Sequence, residues 1–255
     1  TLVDEGFRYA KYVLKDKADN TATVNITAPI DRTNPTKPTI KLYKKTSATD
    51  VKSSKNLSGY TNDSWLKGWV YTEASKSTDT MSGFDHYEYT TSGAVSNKQN
   101  VKAAYLNINP EGVSYVKYRA CDVAGNCTSY GDNNTIKLDR SGPSCGTVSG
   151  SSTTWTNQNR TISVACSDSY SGCSKNVFSN EFNTDVKVGE MSLSDKLGNV
   201  TKCPVNVYLD KTKPTLTAKF TKEGGGSYSS GSLSDVPVTR TLTPKDNLSG
   251  IHETQ

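Results

Sequence analysis

The chain is poor in histidine, methionine and tryptophan. Its 255 residues include two histidines, two methionines and three tryptophans. His86 and His252 lie far apart in sequence, so a histidine triad or a multi-histidine metal site is hard to assemble. No run of about 18 apolar residues is present to cross a membrane as a helix. Hydrophobic residues make up 33% of the chain and the mean hydropathy is -0.63. No stretch of a dozen residues keeps a 3.6-residue apolar period, which excludes amphipathic helices as the main element. No Walker motif or dinucleotide fingerprint appears, and Gly224-Gly-Gly226 reads as a turn. The net charge of +5 is mild and lysine is scattered, which argues against a nucleic-acid surface. The chain opens on the polar TLVDEGFRYAKYVLKD, which does not read as a secretory signal.

What is abundant is short alternation. Thr161–Cys166, Val113–Ala120, Pro204–Leu209 and Tyr9–Leu14 alternate apolar and polar residues with period two, as half-buried strands do. Fourteen tyrosines and five phenylalanines supply several small cores rather than one large one.

Three signatures recur in fixed order. D-x-x-S-G occurs as Asp79–Gly83, Asp168–Gly172 and Asp246–Gly250. D-x-x-G-N occurs as Asp122–Asn126 and Asp195–Asn199, with a D-N variant at Asp16–Asn20. An apolar residue followed by D-[RK]-[ST]-x-P occurs at Asp31–Pro35, Asp139–Pro143 and Asp210–Pro214. The last signature marks joints, spaced 139 − 31 = 108 and 210 − 139 = 71 residues apart. Proline there removes a ladder donor and fixes φ, so strand pairing stops and bending is limited. The expected division is the tail of a repeat at 1–30, a longer repeat at 31–138, a short repeat at 139–209 and the front of another at 210–255. The extra length of the 31–138 repeat is expected as an added strand or loop within 43–64 or around 90–112. The segment thus reads as part of a longer tandem array.

Six cysteines, Cys121, Cys127, Cys145, Cys166, Cys173 and Cys203, point to disulfides and an oxidising, exported location. The close pairs are spaced C-x5-C and C-x6-C, not the C-x2-C of zinc knuckles. Fifteen pairings are open to six cysteines. The expected set is Cys121–Cys127, Cys166–Cys173 and Cys145–Cys203, the last joining the first strand of a domain to its last.

The ordered signatures resemble those of bacterial immunoglobulin-like (Big-type) repeats, found in tandem in large, adhesin-like surface proteins. The resemblance covers at least residues 9–251, with Trp65 and Trp155 at the family's aromatic position. It implies an all-β fold of tandem immunoglobulin-like β-sandwich domains in an elongated array. In that topology Asp31, Asp79 and Asp122 converge at one end of a domain, and Asp139, Asp168 and Asp195 at the equivalent end of the next. Such oxygen clusters suit Ca²⁺, while the plainer reading is Asx-turn capping, and no cofactor is otherwise expected. His86 is expected to pack across strands. Trp65, Trp69, Tyr71 and Tyr60 are expected in a core, the alternative being an exposed glycan-stacking face.

The function expected from these features is non-catalytic: a stalk, spacer or adhesive region of an exported bacterial cell-surface protein. The alternatives are a module binding carbohydrate or a host or extracellular-matrix protein, accessory domains of a secreted glycosidase or protease, and a phage tail-fibre or decoration domain. Neighbouring repeats of the same chain are the expected partners, with no nucleic acid and no membrane-spanning segment.

Overall fold

The computed structural model describes residues 3–45, 47–48 and 58–252. The segment 43–64, where an insertion was expected, lies partly outside these residues. The described chain is all-β, with seventeen strands and no helix, so no helix is present to span a membrane. It divides into two compact units, Thr1–Arg140 and Ser141–Gln255.

The first unit opens with the antiparallel hairpin β1 (Gly6–Lys15) and β2 (Thr21–Ile30). Then come β3 (Ile40–Lys45), β4 (Trp65–Leu66), β5 (Trp69–Ala74), β6 (Phe84–Gly93) and β7 (Lys98–Lys102). β8 (Tyr105–Ile108), β9 (Gly112–Asp122) and β10 (Asn134–Leu138) complete it. Two sheets form, β3-β5-β8 and β4-β10-β9-β6-β7. Val70 and Ile108 from the first sheet share one core with Val116, Tyr118, Ile136 and Leu138 from the second. In β9, Ser114, Val116, Tyr118 and Ala120 are buried while Val113, Tyr115, Lys117 and Arg119 are less so, the period-two pattern of a strand with one inner face. Inside the core the Tyr118 hydroxyl meets Thr72 Oγ1 at 2.9 Å, which satisfies two polar groups that burial would otherwise penalise. The strands β7 and β8 lie within 90–112, one of the two places where the longer repeat was expected to carry additional structure.

The second unit contains β11 (Ser144–Ser149), β12 (Arg160–Ser167), β13 (Val177–Phe182), β14 (Val186–Ser194) and β15 (Val200–Leu209). They form the sheets β11-β12-β13 and β14-β15. Ile162 and Val164 from one sheet pack with Met191, Leu193, Val205, Val207 and Leu209 from the other. Gly189 is needed there: a Cβ would lie 2.3 Å from the Phe182 ring. The unit ends in the hairpin β16 (Thr215–Lys222) and β17 (Val238–Lys245).

Disulfides join Cys121 to Cys127, Cys145 to Cys203 and Cys166 to Cys173. Cys145–Cys203 ties β11 to β15 and so spans the two sheets of the small core. Each short disulfide straddles a signature loop. Cys121–Cys127 brackets Asp122–Asn126, and Cys166–Cys173 brackets Asp168–Gly172.

Candidate functional site

The recurring aspartates fall on loops, and each loop is built in the same way every time. In the D-x-x-G-N turn the aspartate accepts from the backbone and side chain of the asparagine four residues on. Asp122 Oδ1 accepts Asn126 N–H at 2.7 Å and Oδ2 accepts Asn126 Nδ2 at 2.8 Å. The matching distances are 2.7 and 2.6 Å for Asp195 with Asn199, and 2.8 and 2.9 Å for Asp16 with Asn20. The fourth position takes positive φ, +93° at Gly125 and +77° at Gly198. In the variant turn Asp19 adopts +70°, a conformation that aspartate tolerates better than most residues.

In the D-x-x-S-G loop one carboxylate oxygen accepts two backbone N–H groups. Asp79 Oδ1 accepts from Met81 at 3.0 Å and Gly83 at 2.9 Å. Asp168 Oδ1 accepts from Tyr170 at 3.0 Å and Gly172 at 2.6 Å, and Asp246 Oδ1 from Leu248 at 2.9 Å and Gly250 at 2.7 Å. The closing glycines have φ of +86°, +84° and +83°.

The joint aspartate reaches forward to that loop. Asp31 Oδ2 accepts Ser82 N–H at 2.8 Å, and Asp210 Oδ2 accepts Ser249 N–H at 2.9 Å. Asn126 Nδ2 also donates to the Asp31 carbonyl at 3.1 Å, so the last turn of the repeat is tied to its first residue. Asp31, Asp79 and Asp122 therefore present carboxylate oxygens within 4.8 Å of one another, as do Asp168 and Asp195 in the second unit. Asp139 belongs to the first unit, where it is fully buried and its N–H donates to Leu66 O at 3.1 Å.

These hydrogen bonds set the charge state. Bonds from Ser82 hold the Asp31 carboxyl below the usual carboxylate range, and Ser249 does the same for Asp210. Asn20 lowers Asp16. Burial pushes Asp195 upward, but the bonds from Asn199 and Leu197 outweigh it and the net direction is down. The carboxylates act as anionic acceptors that cap turns. Three hard oxygen donors at this spacing are also the kind of set that Ca²⁺ uses.

Sequence reading missed a fourth recurring feature. The acidic residue immediately before the penultimate strand of each repeat accepts hydrogen bonds from the joint. Thr33 Oγ1 donates to Glu5 Oε1, just before β1. Arg140 N–H donates to Glu111 Oε1 at 2.8 Å, just before β9. Lys211 N–H donates to Asp185 Oδ1 at 2.6 Å and Thr212 Oγ1 to Asp185 Oδ2, just before β14. The signal was available: the three acids lie 11, 11 and 10 residues before Asp16, Asp122 and Asp195. Arg140 adds further anchors, with Nη1 to Gly68 O at 2.8 Å, Nη2 to Asn109 O at 2.9 Å and its guanidinium 4.9 Å from the Trp69 ring centre.

His86 sits opposite Cys121 across the β6–β9 ladder. Its Nδ1 lies 2.6 Å from Asp85 Oδ2 and its Nε2 3.3 Å from Glu88 Oε1, while Glu88 pairs with Arg119 at 2.6 Å. Cys121 is held in a disulfide, so His86, Glu88 and Cys121 do not make a thiolate metal site. Tyr60 and Tyr71 are buried and Trp65 and Trp69 half-buried, so the four do not form an exposed row. Trp155 is half-buried against Tyr208, their ring centres 4.9 Å apart.

Comparison with family models, curated proteins and solved structures gives no match to the chain.

Proposed function

We propose that this chain is a non-catalytic segment of an exported bacterial surface protein, in which tandem immunoglobulin-like β-sandwich domains serve as a semi-rigid spacer. The observation that carries the reading is the two-sided joint. At residues 31–33 and 210–212 the aspartate bonds forward to the D-x-x-S-G loop, and the residues next to it bond back to the acid before the penultimate strand. A joint fixed on both sides has few free dihedrals, so force or position is passed along the chain rather than lost in bending. Three disulfides fit an oxidising compartment and offset the cost of small cores.

A second reading, a glycan-binding module, draws support from one sheet face. The Tyr43, Tyr71 and Tyr105 rings line up across β3, β5 and β8, with centres 6.1 and 5.8 Å apart; Tyr71 is buried between the other two, Tyr43 is half-buried and Tyr105 is exposed. The test is binding of the oxidised protein to a panel of glycans and extracellular-matrix proteins, with and without Ca²⁺. The spacer reading expects no saturable binding from folded protein. Saturable binding lost in Tyr105→Ala would replace it with the glycan-binding reading.

A further inference from the structure

His86, Glu88 and Cys121 share one face of the sheet that contains β6 and β9. It is the face opposite the one that carries Tyr87, Tyr89 and Tyr118 to the core. His86 stands across the ladder from Cys121, and Glu88 follows two residues on along β6. Their ligand atoms, an imidazole nitrogen, a carboxylate oxygen and a sulfur, lie within 4.8 Å of one another.

The surroundings prepare these atoms for a cation. Asp85 Oδ2 is 2.6 Å from His86 Nδ1. A carboxylate there takes the Nδ1 proton and leaves the Nε2 lone pair free, as it does beside metal-bound histidines. Nε2 then faces Glu88 Oε1 at 3.3 Å, one acceptor against another. Glu88 gives its other oxygen, Oε2, to Arg119 at 2.6 and 2.8 Å, which leaves Oε1 for this contact. A cleft of about 310 Å³, lined in part by Asp85, His86 and Lys102, opens beside the ring.

In the oxidised chain the disulfide withholds the sulfur. Opening it frees two thiolates at once, because Cys121 and Cys127 oppose each other directly across the turn. The donors are then His86 Nε2, Glu88 Oε1 and two sulfurs. Two thiolates, Asp85 and Glu88, set against Arg119 and Lys102, leave an excess of two negative charges. A borderline-soft divalent ion with four tetrahedral donors matches both counts. Bonds of roughly 2.0–2.3 Å put such donors roughly 3.3–3.8 Å apart, so the side chains need close in by only about 1 Å.

We propose that the reduced chain holds Zn²⁺ at His86, Glu88, Cys121 and Cys127, and that formation of the disulfide expels it. In that exchange the two bound thiolates pass two electrons to an incoming small-molecule disulfide. The Cys121–Cys127 bond forms, the incoming S–S bond breaks into two thiolates, and Zn²⁺ leaves to water. Until then the ion keeps this pair of thiols together and apart from the other four cysteines. The site lies wholly within residues 31–138 and does not rest on the spacer reading.

The experiment titrates the full chain, reduced by a phosphine without oxygen, first with Co²⁺ as a spectroscopic stand-in and then with Zn²⁺. The expected result is a sulfur-to-cobalt charge-transfer band that Zn²⁺ displaces and that the oxidised chain lacks. His86→Ala and Cys127→Ala should each weaken binding roughly tenfold or more, and Asp85→Asn, a positioning change, about 10- to 100-fold. C166A/C173A should leave the band in place. Saturating Zn²⁺ should slow closure of the 121–127 link roughly tenfold relative to the 166–173 link, read by peptide mapping. No band in the reduced chain, a band that persists in His86→Ala, or one lost in C166A/C173A overturns the inference and leaves the spacer reading untouched.

Discussion

Removing Cys145–Cys203 should cost far more stability than removing Cys166–Cys173, although both lie in the same small unit. A disulfide restricts the unfolded chain in proportion to the logarithm of the loop it closes. The first closes a separation of 58 residues and the second one of 7. The loop-entropy relation gives about 4.2 kcal/mol for the former and about 2.3 kcal/mol for the latter at 25 °C. The repeat of 210 − 139 = 71 residues has an unfolding entropy of about 150 cal/mol/K at roughly 2.1 cal/mol/K per residue. The expected falls in melting temperature are therefore about 28 °C for C145A/C203A and about 16 °C for C166A/C173A. Cys203 is buried in the core, so its truncation adds a cavity cost to the larger figure and widens the gap. Differential scanning calorimetry of the full chain, following the endotherm that each variant displaces, reads both values. Equal losses, or a larger loss for the short loop, would refute the reasoning.

Other expectations follow from the same structure. The carboxyls of Asp16, Asp31, Asp195 and Asp210 sit below their unfolded range. Their contribution is therefore complete above the unfolded carboxylate values and is lost as pH falls through the folded ones, so the melting temperature should drop below roughly pH 4. Asp195→Asn sets an amide where Asn199 Nδ2 now donates; it should cost about 1–3 kcal/mol and flatten that acid slope, measured by denaturant titration against pH. Gly189→Ala should cost about 1–3 kcal/mol through overlap with the Phe182 ring, whereas Gly125→Ala, with open space around it, should cost about 1–2 kcal/mol from its φ of +93° alone. The two can be separated by adding Phe182→Leu, which should relieve only the Gly189 variant. If turn capping is the whole role of Asp31, Asp79 and Asp122, excess chelator should leave the melting curve unchanged; a lower melting temperature would show that they hold a cation.

The strands were legible because one-sided burial writes itself as alternation. Val113–Ala120 and Thr161–Cys166 read as strands, and they lie in β9 and β12. The turns were legible because only a few residue types suit an aspartate-capped reversal with positive φ. The expectation that Asp31, Asp79 and Asp122 meet came from the topology that the resemblance implies; their carboxylate oxygens lie within 4.8 Å of one another. The joint clamp was legible only as a spacing. Glu5, Glu111 and Asp185 recur 11, 11 and 10 residues before Asp16, Asp122 and Asp195, but their hydrogen bonds go to joint residues 26 to 29 positions away, so the spacing by itself does not name the partner. The sheet partners of the longer repeat were equally hidden. β4 is two residues long and pairs in parallel with β10, a contact that depends on tertiary packing rather than on its own sequence.

The central claim is that joint residues bonded to both neighbours hold successive domains at a fixed angle. The direct measurement is a spin-label distance distribution across the 210–212 joint, with labels introduced as non-cysteine residues at Lys202 on β15 and Thr241 on β17, both exposed. The account predicts one narrow distribution that broadens in Asp185→Ala/Asp210→Ala. A wild-type distribution already broad, and unchanged by that double substitution, would contradict it.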